Sequence, residues 1–291
     1  MRAVLEDQSE GNIQWTEIIT PKKNLLDLRL NEVWRYKDLL WLFVRRDFIA
    51  QYKQTILGPL WHIIQPLFTT IIFLLVFGRI ANIPTDGIQP ILFYMSGITI
   101  WNYFAACLTN TSSTFISNAS IFGKVYFPRL ILPLSVIISN IVRLCIQLGL
   151  LFVLMIYFNS HGYRLNVTIN WLFIPVLVII VAGLGLGFGI LISSLTTKYR
   201  DLAILLGFAI QLGMYATPIA YPLSYIKNLN YKNIIGLNPL TPIVECLRYC
   251  LFGSGTFSAG SLSYSVCVMS VVLFLGVLVF NRVERNFMDT I

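Results

Sequence analysis

Charge gives way to lipid-length apolar sequence at one junction in this chain. Residues 45–53, RRDFIAQYK, mix charged and apolar positions, whereas no formal charge occurs from Gln54 until Arg79. That run is long enough to cross a bilayer at roughly 20 residues per crossing. Upstream, Leu40, Phe43, Val44, Phe48 and Tyr52 follow three- and four-residue spacing while Arg45, Arg46 and Lys53 fall on other faces. This pattern predicts an amphipathic interface helix over 25–57, lying along the membrane with Asn31 as its cap. Trp34 and Trp41 suit that depth, because indole is apolar in body and polar at its N–H.

Six crossings are predicted downstream, at about 60–78, 91–112, 130–158, 171–194, 203–221 and 262–281. Between the second and third lies a polar, helix-competent stretch, 113–128, and between the fourth and fifth a tight turn, LTTKYRDL. Pro218, Pro222, Pro239 and Pro242 mark a long segment before the last crossing, where short helices cannot span and must tuck back into protein. Thr241 followed by Pro242 is a helix start there. The fold class expected is therefore all-α integral membrane. A polar segment, 1–24, precedes the interface helix, the six-span region covers 58–281, and 282–291 form a short tail.

Orientation follows from charge. Fifteen of the 21 Lys and Arg fall on the side holding both ends, five on the other (Arg79, Arg164, Lys227, Lys232, Arg248), and Arg143 lies within a span. Positive residues are retained on the cytoplasmic side, so both termini are expected there. The first 24 residues lack the apolar core of a secretory signal. Composition agrees: 56% of residues are hydrophobic and 12% charged, against about 25% charged in soluble chains. The net charge of +8 sits beside apolar spans, and no nucleic-acid partner is expected.

Candidate chemistry is sparse. There is no GxxxxGK[ST] phosphate loop, so the chain is expected to bind no nucleotide or other cofactor itself and to be no enzyme. Between Phe48 and Val283 the only acids are Asp86, Asp201 and Glu245, which supplies no mid-membrane carboxylate for an ion-coupled carrier. His62 and His161 have no carboxylate neighbour in sequence, which argues against a membrane-embedded transferase. Cys246 and Cys250 are four apart without a second pair or a nearby His, and read as core residues, not metal ligands. Gly183, Gly185, Gly187 and Gly189 lie in a lipid-length run, where they permit close helix approach. Asn140, Arg143 and Gln147 form one polar stripe on the third crossing. Arg143 either lines a path that meets phosphate or sugar hydroxyls, or is a structural arginine held by neighbouring carbonyls. Tyr94, Trp101 and Tyr103 belong either to such a path or to an aromatic girdle.

The stretches RRDFIAQYKQTILGPLW, NASIFGKVYFPRLILPLS, TKYRDL, TPIAYP and NPLTPIVECLR resemble, in order, the permease subunit of type-2 ABC exporters for polysaccharides such as O-antigen, capsule and teichoic acid. The resemblance implies a homodimer of six-span subunits in the bacterial inner membrane. It also implies a lipid-linked polysaccharide as cargo and a separate ATPase dimer, with or without a carbohydrate-binding domain, that holds ATP and Mg. By the same resemblance Arg45, Arg46, Asp47, Tyr52 and Lys53 belong to the interface helix on the cytoplasmic leaflet. Asn118, Lys124, Val125, Tyr126, Phe127, Pro128 and Arg129 match the gate and first ATPase contact, in which Gly123 stands where a bulkier or basic residue is expected. Lys198, Tyr199, Arg200 and Asp201 match the second contact, and Pro218, Tyr221, Pro222, Pro239, Pro242, Glu245 and Arg248 an external re-entrant gate. An ABC exporter of drugs or lipids is the alternative reading.

Overall fold

A computed structural model describes residues 30–118, 121, 127–163, 169–196, 201–256 and 258–286. Among these every regular element is helical. The interface region is two helices, α1 (Leu30–Arg35) and α2 (Lys37–Tyr52), broken at Tyr36, where φ −93° and ψ 24° leave the helical region. Asn31 lies inside α1 instead of capping it. Trp34 and Trp41 are exposed, while Phe43 and Val44 turn inward.

Five helical stretches among the described residues are long and apolar enough to cross a membrane: Gly58–Ile80, Pro90–Ser112, Ile131–Ser160, Asn170–Thr196 and Ala259–Arg282. The first comprises a short 3-10 turn, α3 (Trp61–Phe73) and a π-helical end over Leu74–Ile80. The others are built on α4 (Pro90–Ser112), α6 (Ile131–Ser160), α7 (Ile174–Thr196) and α11 (Ala259–Asn286), with α5 (Thr114–Ser117) a single turn after α4.

The predicted crossing at 203–221 is shorter than expected. Helix α8 covers Leu202–Ala216, 15 residues, or about 22 Å at 1.5 Å per residue, against a hydrocarbon layer of about 30 Å. Its end is set by Pro218, which drives the preceding residue out of the helical region. Thr217 is extended at φ −100° and ψ 142°. Two short helices follow, α9 (Leu229–Gly236) and α10 (Leu240–Phe252). The start of α10 is fixed by Asn238, whose Oδ1 accepts from the Leu240 N–H at 3.0 Å, while the Thr241 hydroxyl turns back to the Ile235 carbonyl at 2.8 Å.

The core is built around α4 and α7. The alternating glycines of α7 serve two neighbours. A Cβ on Gly185 or Gly189 would lie 2.6 Å from Cys107 Cβ or 2.5 Å from Thr111 Cβ on α4, whereas one on Gly183 would meet Met269 of α11 at 2.5 Å. On the same side as Gly183, a Cβ on Gly276 of α11 would stand 3.0 Å from the Gly187 carbonyl oxygen. Glycine thus lets α7 approach two helices at once, as the packing reading of this run requires.

Candidate functional site

A polar cleft opens between α2, α4 and α6. It is formed because three stripes meet: Arg46, Asp47, Ala50 and Gln51 of α2; Asn102, Tyr103, Ala106 and Asn110 of α4; and Ser139, Asn140, Arg143 and Gln147 of α6. Arg143 and Asn140 line both of its cavities. The outer one, about 560 Å³, reaches down to Ser113, Ser117 and Asn118, and the inner one, about 170 Å³, is closed off by His62 and Gln65 of α3.

The cleft is organised by a short chain of hydrogen bonds. Arg143 Nε donates to Gln51 Oε1 at 3.2 Å, and Tyr52 Oη lies 2.7 Å from His62 Nε2. Burial pushes the Tyr52 phenol above its usual range, against the pull of the nearby Arg143 guanidinium. Asn140 Nδ2 donates to the Val136 carbonyl at 2.9 Å, and its Oδ1 accepts from Asn110 Nδ2 at 3.5 Å. Arg143 therefore stands at the level where α2 ends and α3 begins. Thirteen residues into a straight span it would have been deep in hydrocarbon; beside Gln51 and His62 it shares the polar zone of the chain's own junction.

The interface helix is tied to the stretch after α4 at two points. Arg46 holds Asp47 at 2.8 Å and reaches Asn118 Oδ1 at 3.2 Å. Phe43 meets Phe127 at a centroid distance of 5.7 Å, within an apolar cluster that includes Phe115, Ile131, Ile190 and Phe280. Pro128 and Arg129 form the turn into α6, their carbonyls accepting from the Ile131 and Leu132 N–H groups. Gly123, Lys124, Val125, Tyr126, Lys198, Tyr199 and Arg200 lie outside the described residues. Asp201 is exposed at the start of α8, and Arg45 and Lys53 are exposed on and just after α2.

At the other end of the bundle, the residues expected at the external gate converge. Arg248, 1% exposed, donates to the carbonyls of Pro218 (2.7 Å), Ile219 (3.0 Å) and Phe93 (3.4 Å), pairs with Glu245 at 3.3 Å and stacks on the Phe93 ring at 3.6 Å. Glu245 also accepts from the Leu223 N–H and from Thr256. Tyr221 Oη donates to the Tyr215 carbonyl, the Pro239 carbonyl accepts from Ser265, and Pro242 is buried in the first turn of α10.

Of the aromatic candidates, Tyr103 shares the inner cavity with Arg143. Tyr94 is elsewhere, packed edge-on against Phe73 and Phe93. Trp101 lines an apolar cavity of about 300 Å³ between α4, α7 and α8, where it occupies the space left by Gly213. The sequence reading missed Gln51, His62, Gln65, Asn102 and Asn110 as cleft residues. A signal for them exists: Asn102 and Asn110 are eight apart, two helical turns, and so share the face of α4 that meets the stripe of α6.

Lipid-length helices gathered around a buried polar cleft define an integral membrane protein. Residues 38–252 match the family described as ABC-2 type transporter, and the chain belongs to that family. It is similar over most of its length to three curated proteins. The O-antigen export system permease protein RfbA of Klebsiella pneumoniae is 29% identical over 257 residues, 87% of this chain and 94% of that one. RfbA of Myxococcus xanthus is 25% identical, covering 90% of this chain and 98% of that protein. The polysialic acid transport protein KpsM of Escherichia coli is 24% identical, covering 82% and 91%.

Proposed function

We propose that this chain is the permease subunit of an ATP-driven exporter that carries a lipid-linked polysaccharide across the bacterial inner membrane. End-to-end similarity to O-antigen export permeases carries this reading, since it spans 87–90% of the chain, not one motif. The subunit works as a homodimer with both termini cytoplasmic, the fifth of its six crossings completed through α8 and the segment after it. ATP and Mg are held by a separate ATPase dimer, with or without a carbohydrate-binding domain. ATPase closure reaches the permease through residues 118–129 and 198–201, and the link from Arg46 to Asn118 passes the movement to the interface helix. Closure shifts a population between two states only through differential affinity of the ATPase for them.

The test is deletion of the gene, complementation, and co-purification with the candidate ATPase. Loss of surface polysaccharide with polymer accumulating inside the cell is expected. Unchanged surface polysaccharide, together with lost efflux of a drug or lipid, would replace this reading with that of another ABC-2 exporter.

A further inference from the structure

The cavity behind α8 is separate from the polar cleft and of opposite character. It measures about 300 Å³, and Trp101, Phe188, Ile192, Leu206 and Ala209 are among the side chains around it. Trp101 is the middle residue of α4 (Pro90–Ser112) and Ala209 the middle residue of α8 (Leu202–Ala216), so the cavity lies at the mid-depth of these helices. No charged residue lines it among the described residues, and apart from the Trp101 indole its one polar side chain is Asn238. Both ends of that amide are engaged: Oδ1 accepts from the Leu240 N–H at 3.0 Å, and Nδ2 donates to Thr217 Oγ1 at 2.8 Å.

These walls select against water, ions and sugars. A buried water needs about two to four polar partners, whereas an apolar cavity of about 150 Å³ already binds benzene. The mouth narrows the choice further. Ala209 is exposed, as are Leu205, Phe208 and Leu212 around it, so the cavity opens at hydrocarbon depth on an apolar surface. A second copy of the chain could cover that mouth, but a helix about 10–12 Å across cannot enter it. A single flexible hydrocarbon chain can.

We propose that this cavity is a site for one acyl chain of a membrane phospholipid, inserted past Ala209 between α8 and the α4–α7 pair. In lipid the gain is dispersion contact, not escape from water. Leu206 alone is buried on α8, so the chain supplies packing that this helix does not obtain from its own neighbours. The inference concerns a lipid that stays with the protein and is independent of the exported cargo.

Trp101 is its natural reporter, because bromine quenches indole fluorescence on contact and Trp101 is only 6% exposed. The full chain, with its other five tryptophans changed to Phe, is placed in nanodiscs of dioleoyl or of 9,10-dibromostearoyl phosphatidylcholine. A third sample holds 1-bromododecane in the unbrominated lipid. In the brominated lipid Trp101 should lose most of its emission, and Ala209→Phe, which fills the cavity from its mouth, should restore most of it. Should Ala209→Phe not melt as the parent does, Ala209→Leu takes its place. Should the single-tryptophan chain not fold, wild type is compared with Trp101→Phe, and the quenched component that disappears reports residue 101. The proposal is overturned if Trp101 keeps its emission in brominated lipid, the result expected where a second copy seals the mouth. Equal quenching with and without the filling substitution overturns it by showing contact with bulk lipid outside the cavity. Quenching by bromododecane but not by the brominated lipid overturns it in favour of a free hydrocarbon.

Discussion

Arg248 donates to the carbonyl oxygen of Pro218 at 2.7 Å from a position 1% exposed to solvent. That contact fastens α10 to the turn that ends α8, and the same guanidinium reaches the Phe93 carbonyl of α4. Removing it would leave Glu245 without its counter-charge and several carbonyls without their donor. Breaking a buried pair from one side typically costs about 3–5 kcal/mol. Arg248→Met should therefore lower the melting temperature in detergent sharply, and Arg248→Met combined with Glu245→Gln should recover part of the loss. Equal melting of the single and double variants would show that the charge on Glu245 is not what Arg248 compensates.

The glycines of α7 should not respond alike to alanine. At Gly185 and Gly189 the new Cβ meets a Cβ atom of α4 at 2.6 Å and 2.5 Å, so the helices must separate. Overpacking of this kind costs about 1–3 kcal/mol. At Gly183 the obstacle is the Met269 thioether, which can swing aside. At Gly207 on α8 nothing lies within 4 Å, and alanine gains up to about 1 kcal/mol of helix propensity. Melting temperatures should rank Gly207→Ala highest, then Gly183→Ala, then Gly185→Ala and Gly189→Ala.

Asp86 and Ser224 lie on the side that the Lys and Arg distribution predicts to be the outer one. They are joined by hydrogen bonds of 2.7 Å, yet they belong to separate turns 138 residues apart. In a cysteine-free background, Ser224→Cys should react with a membrane-impermeant maleimide in intact spheroplasts, and Arg45→Cys only after lysis. The reverse pattern would invert the orientation inferred from the Lys and Arg distribution.

Asn118 connects the interface helix to the end of α4 through Arg46 at 3.2 Å. This bond is partly exposed, so Asn118→Ala should change stability by less than about 1 kcal/mol. If the bond relays ATPase movement, surface polysaccharide should fall several-fold at unchanged protein abundance, with the ATPase still co-purifying. Normal export by Asn118→Ala would place the relay elsewhere, with the Phe43–Phe127 contact the next to vary.

Apolar run lengths, the side on which Lys and Arg gather, and the two short helices before the last crossing were legible because each is a local property of the chain. Lipid requires about 20 apolar residues wherever they stand, and Pro218 biases the residue before it away from the helical region. The shortening of α8 to Leu202–Ala216 follows from the same rule, though hydropathy alone runs past the proline to Tyr221. Residue 143 was recognisable as an intramembrane arginine, but its depth was not. That depth depends on Gln51, 92 residues earlier, folding back to meet it.

Sequence by itself thus determined a helical membrane protein and its resemblance to polysaccharide export permeases, and it set the orientation expected of it. Only the tertiary structure decided which side chains share a space: Arg143 with Gln147, Tyr103 and His62, Trp101 with Gly213, and Arg248 with Phe93 across 155 residues. Period and composition state which face of a helix is polar. They do not state which other helix that face meets, because the choice is made by shape and hydrogen-bond satisfaction summed over the whole bundle.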